Sequence, residues 1–188
     1  ALYFINNIDD KDLVARSRRS LIGNSVLFLV FFLSFVIRTL LADGYAVKPE
    51  TGEIFMEPYK YLTNFIEMPV VLVLFLIGVV LVLFGIGKSL LKPKFDKGIW
   101  FTGIGTVLAV LALLLVAGYN NTAYYPSTND LQSSLTLANS CSSQFTLRVM
   151  FYVSFLVPFV LAYIFYAWRS IDIHKISEKE MKDGGHAY

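Results

Sequence analysis

The residues able to do chemistry in this chain are few and stand apart from one another. Its two histidines, His174 and His186, both fall in the polar C-terminal segment, and Cys141 is the lone cysteine. Helical bundles assemble metal and haem sites from His, Met, Cys or carboxylate side chains on facing helices. No pair in the apolar runs has that spacing. Met68 and Met150 stand at the ends of such runs, where packing is the plain role for a flexible thioether. One cysteine alone makes neither an intrachain disulfide nor a Cys-based metal motif. Serines crowd residues 127–143, yet no intramembrane His or Lys accompanies them, so no nucleophile–base pair is formed. Phosphate-binding and dinucleotide-binding glycine turns are missing too. The sequence therefore assigns no catalytic, cofactor-binding or metal residue.

One charge does lie inside an apolar run. Arg38 falls a turn from the end of residues 21–42. Its stem can carry the guanidinium to the interface, or an ion pair can hold it. It can also belong to a proton or quinone site, because intramembrane charges are functional candidates by default. These readings stay open.

The elements that must position such residues are membrane spans. Of the 188 residues, 56% are hydrophobic and 16% charged, and the mean hydropathy is +0.60. Soluble domains carry roughly 25% charged residues, so this composition belongs in a bilayer. The net charge of +2 gives no reason to propose nucleic acid as a partner. Four runs, 21–42, 69–87, 99–119 and 149–168, are each about the 20 residues that cross a hydrocarbon core. Residues 1–5 look like the last turns of a truncated helix, and 6–20 like an amphipathic cytoplasmic connector. The expected fold is an all-α integral membrane protein: four complete spans forming a four-helix bundle (21–168), after that connector (1–20) and before a polar tail (169–188). Gly78 and Gly85, seven apart, and Gly105 and Ala109, four apart, mark faces where helices approach closely. Pro158 in the last run removes a helical hydrogen bond and predicts a kink.

Two long loops join the spans at one end, 43–68 and 120–148. The first carries turn signals and five aromatics suited to the headgroup level. The second is denser in Ser, Thr, Asn and Gln, with Asp130 its only acid and Arg148 its only base. A stretch of that kind is either a linker or a built surface. Lys and Arg cluster in the other set of segments, at 11–19, 88–97 and 169–182, against Lys48, Lys60 and Arg148 on the loop side. The positive-inside rule then puts the C-terminus in the cytoplasm and both loops outside.

The second loop also has recognisable wording. Tyr125-Pro126-Ser127, Ser134-Leu135-Thr136, Asn139, Ser142-Ser143-Gln144, Thr146-Leu147 and Met150 resemble the penultimate loop of the cytochrome bd ubiquinol oxidase subunit II family. Asp43-Gly44-Tyr45 is similar to that family's Asp-Gly-Tyr helix ending, and 1–19 to its cytoplasmic connector. The resemblance covers the whole chain but only about the C-terminal half of the family's usual length. It implies a haem-free subunit that stabilises a larger subunit I, which holds haem b and haem d and oxidises quinol while reducing dioxygen to water. It implies a bacterial plasma membrane location beside the quinone pool and, in some members, a bound structural quinone. For the loop it implies a folded outer cap, with Ser142, Ser143 or Gln144 capping the last span and Arg148 reaching a neighbouring carboxylate or carbonyl. The competing reading is half of a bundle-type transporter or channel; broken spans near the midplane favour that class, and Pro158 marks the one such break.

Overall fold

The computed structural model describes residues 1–48, 50–92 and 94–172. His174, His186 and the basic residues of the tail beyond position 172 lie outside the described residues. A short helix α1 (Leu2–Asn7) opens the chain. Asp10 then starts α2 (Lys11–Leu40), its carboxylate accepting from the backbone N–H groups of Asp12 at 2.7 Å and Leu13 at 3.0 Å. That cap satisfies donors a helix start leaves orphaned. The 30 residues form one helix about 45 Å long. The helix runs without a break through residue 20, where the connector was expected to meet the span.

Among the described residues, four helical stretches are long and apolar enough to cross a membrane: Lys11–Leu40, Pro69–Leu91, Gly98–Gly118 and Gln144–Ile171. The second and third, α4 (Pro69–Leu91) and α5 (Gly98–Gly118), form a close antiparallel pair. A Cβ on Gly78 would stand 2.8 Å from the Gly105 carbonyl, and one on Gly105 only 2.6 Å from the Gly78 carbonyl. Further along, a Cβ on Gly85 would meet the Gly98 carbonyl at 2.8 Å. Backbone thus rests on backbone, the arrangement small residues permit where lipid supplies no hydrophobic drive. Towards the loop end the seam widens into a core of Phe65, Phe75, Ala109, Ala112 and Val116. Phe32 and Val36 of α2 lie against it, with the Phe32 and Phe75 rings 6.4 Å apart.

The last span is different. It comprises α7 (Gln144–Ser154) and α8 (Val157–Asp172), broken at Phe155 and Leu156. There the N–H groups of Phe155 and Leu156 turn to carbonyls three residues back, those of Tyr152 and Val153. Pro158 follows at the second position of α8, where its missing N–H costs little. None of its most apolar 18-residue stretch is buried. The four expected spans are present, but they do not close into an evenly packed four-helix bundle. Residues 144–172 contain no glycine and are rich in Phe, Tyr and Val, so no smooth face lets a neighbour approach as α4 and α5 do.

At one end of the spans, called here the loop end, the connections are folded. A hairpin of β1 (Gly44–Val47) and β2 (Ile54–Glu57) pairs Gly44 with Glu57 and Val47 with Ile54, and α3 (Lys60–Glu67) follows. In the second loop β3 (Ala123–Tyr125) pairs with β4 (Leu135–Thr136), and α6 (Leu137–Ser140) leads on towards α7. The basic end carries α1 and the short turn between α4 and α5. There Lys88 Nζ stands 4.7 Å from the ring centres of both Phe84 and Phe95.

Candidate functional site

The most ordered polar chemistry in the molecule surrounds Asn64. This residue of α3 is wholly buried. Its Nδ2 donates to the Val116 carbonyl at 3.0 Å and to Thr122 Oγ1 at 2.8 Å. Its Oδ1 accepts from Asn120 Nδ2 at 3.0 Å, and the same Asn120 amide also donates to Glu67 Oε2. Val116 lies in the last turn of α5, whose final carbonyls have no helical partner. One amide side chain therefore closes the end of α5 and ties it to α3. Asn120 and Asn121 adopt left-handed backbone, with φ of 64° and 54°. Asparagine tolerates that region better than most residues, and the turn carries Thr122 back beneath α3.

Beside this cluster Lys60 is nearly buried, and its Nζ meets Glu57 Oε2 at 2.9 Å. Gly44 makes the room: a Cβ there would fall 2.7 Å from Lys60 Cβ. Tyr61, on the same helix, has its phenol pushed up from the usual tyrosine range by burial.

The second loop is stitched by its small polar side chains. Ser134, only 1% exposed, accepts from the Ser127 N–H at 2.9 Å. Ser133 Oγ reaches Ser127 Oγ at 2.9 Å and the Asp130 carbonyl at 2.7 Å. Thr136 and Asn139 form a capping box on α6, and Asn139 Nδ2 donates to the Ser134 carbonyl at 2.7 Å. At the next helix Ser143 Oγ accepts from the Thr146 N–H at 3.3 Å and starts α7.

Of the residues singled out by the sequence motif, the structure brings together Ser127, Ser134 and Thr136, with Pro126 half-buried at their edge. Ser143 and Thr146 meet separately at the start of α7. Leu135, Ser142, Gln144 and Met150 are exposed and join neither group. Arg148 is exposed as well, and no carboxylate among the described residues meets it, because the first turns of α7 stand clear of the other elements. Arg38 is exposed in an open groove with Ser34, Ile37, Leu41 and Asp43. Gly78, Gly105 and Ala109 lie at the midpoint of the α4–α5 seam, and Gly85 nearer the basic end. The sequence reading passed over Asn64, Asn120, Thr122 and Glu67. The signal for them was the Asn-Asn-Thr run directly after an apolar span, where orphan carbonyls need donors.

Four apolar spans, folded polar caps at one end and basic turns at the other define a multi-pass all-α integral membrane protein. The chain belongs to the cytochrome bd terminal oxidase subunit II family, whose profile matches residues 1–171. It is similar to cytochrome bd-I ubiquinol oxidase subunit 2 of Escherichia coli strain K12, 33% identical over an alignment of 138 residues that covers 67% of this chain. The same figures hold for the proteins of that name in Escherichia coli O6:H1 and O157:H7. The chain spans about a third (35%) of the length of these relatives.

The family is part of a haem-containing oxidase. Haem iron takes axial His, Met, Cys or Tyr ligands. Among the described residues no three of His, Cys, Asp and Glu gather in one place. Met68 packs beside the Phe65 core, Cys141 is exposed on a loop, and Met150 is 65% exposed on α7.

Proposed function

We propose that this chain forms part of the haem-free second subunit of a bd-type quinol:dioxygen oxidoreductase, bracing a larger subunit that carries haem b and haem d. The loop end then faces out of the bacterial plasma membrane and the basic end faces the cytoplasm, in line with the distribution of Lys and Arg. The observation that carries this reading is the Asn64 cluster. It fixes α3, the end of α5 and the following turn as one rigid surface, and a rigid polar surface over a helical pair is what a bracing subunit needs. Catalysis and quinol oxidation are assigned to the partner.

The experiment is purification of the complex containing this chain in mild detergent, followed by a visible spectrum. Absorption bands of haem b and haem d in the co-purified material are expected; a colourless complex that moves a solute instead would sink the assignment. Arg38 is proposed as a structural or quinone-linked residue. Arg38 is exposed in its groove, so Arg38→Met is expected to leave assembly intact. A change in the KM for quinol would tie it to the quinone, and an unchanged KM would confine it to the interface.

A further inference from the structure

The last span approaches the rest of the chain at the basic end across a cleft of 480 Å³. On α8, Leu161, Ile164, Phe165 and Trp168 line it, at the i, i+3, i+4, i+7 spacing of a single helix face. Opposite stand Trp100 on α5 and Tyr3 on α1. The apolar face of α8 thus meets α1 and α5 across an open wedge.

Three observations decide what it would seat. Apart from Asn6 and Asn7 at the α1 side, the lining is apolar, which suits alkyl chain. Its rim is aromatic: both tryptophans of the chain are here, and Trp settles at headgroup depth where one edge is wet. Two cations adjoin the lining in sequence. Lys97, the N-cap residue of α5, precedes Ile99 and Trp100 of the lining, and Arg169 directly follows Trp168. Both are exposed, and neither has an ion-pair partner among the described residues. We infer that the cleft seats one anionic phospholipid, with its glycerol and the upper part of an acyl chain against α8 and its phosphate between Lys97 and Arg169. The lipid then couples the last span to α1 and α5, which explains how an unburied helix keeps its place. Two cations near the surface favour an anionic over a zwitterionic headgroup by about 30-fold.

The test uses the assembled complex, stripped of lipid in detergent and titrated with phosphatidylglycerol or phosphatidylcholine of the same chain length under native mass spectrometry. The wild type is expected to take up one phosphatidylglycerol about 30-fold more tightly than phosphatidylcholine. The Lys97→Gln/Arg169→Gln double variant should hold that preference below about threefold. Ile164→Trp fills the cleft without touching either charge and should lose the adduct of both lipids. Equal uptake of the two lipids by the wild type would overturn the inference. So would a phosphatidylglycerol adduct that survives in both variants, or a quinone mass in its place. The haem absorbance of the same samples reports on the oxidase assignment separately, so the two ideas can fail independently.

Discussion

Replacing Asn64 with leucine should loosen the loop end without disturbing the spans. The substitution keeps the branched shape and the number of side-chain heavy atoms and removes both donors and the acceptor. It strands the Val116 carbonyl and the Thr122 hydroxyl, each in a residue only 1% exposed, and leucine leaves no space for a replacing water. An unsatisfied buried group costs about 1–3 kcal/mol. Thr122 keeps a longer bond to the Asn120 carbonyl at 3.4 Å, so it falls at the low end. The sum is about 2–4 kcal/mol, or a roughly 30- to 1,000-fold rise in local opening. Hydrogen exchange of residues 116–125 in the assembled complex reads this directly, as an equal loss of amide protection. Amides in the middle of α4 and α5 should exchange as before. The double variant Asn64→Leu/Thr122→Val should cost less than the sum of its parts, because both partners of one bond are then removed together. Protection within threefold of wild type at 116–125 would refute the reasoning and reduce Asn64 to a space-filling residue.

Three further outcomes are expected. Gly105→Leu forces side chain against the α4 backbone and should lower the recovery of assembled complex by about tenfold or more, whereas Gly103→Ala, with nothing within 4 Å of its Cβ, should be neutral; equal recovery of both variants would remove the seam from the account. Ser143→Ala deletes the cap of α7 at a cost of about 1 kcal/mol, read as faster exchange confined to residues 144–147. For Tyr61, whose pKa burial raises, the neutral phenol is the form the fold favours. Its stabilisation is complete below the ordinary tyrosine pKa of about 10 and is lost as pH climbs through the raised value. The difference between wild type and Tyr61→Phe in an alkaline absorbance titration should therefore show late phenolate formation.

What was legible in the sequence follows from which forces are local. Spans declare themselves by 20 consecutive apolar residues, and all four were visible that way. The N-terminus of α2 was also written locally, in Asp10 before Asp12 and Leu13, but the charges beyond it read as a separate surface segment. The hairpin Gly44–Val47 with Ile54–Glu57 was not legible, because strands of four residues give too little alternation to separate from a loop. Asn64 was invisible for a different reason. An asparagine in an eight-residue helix looks like any solvated polar residue, and only its partners 52 and 58 positions away make it central. Uneven packing of the last span was hidden likewise: hydropathy reports that a helix meets lipid or protein without saying which.

The close pair α4–α5 has a consequence for the order of events during synthesis. Its contacts join neighbouring helices across the short turn between Leu91 and Gly98, so the pair can assemble as soon as α5 has entered the bilayer. The Asn64 bonds cannot form until then. Asn64 precedes α4 and Thr122 follows α5, so their contact requires both helices inserted, antiparallel and in register. The bonds of Asn64 to Val116 and Thr122 are therefore made only when the helical hairpin is complete. A chain with a slipped or single-span insertion would carry an open loop end, which distinguishes it from the completed hairpin.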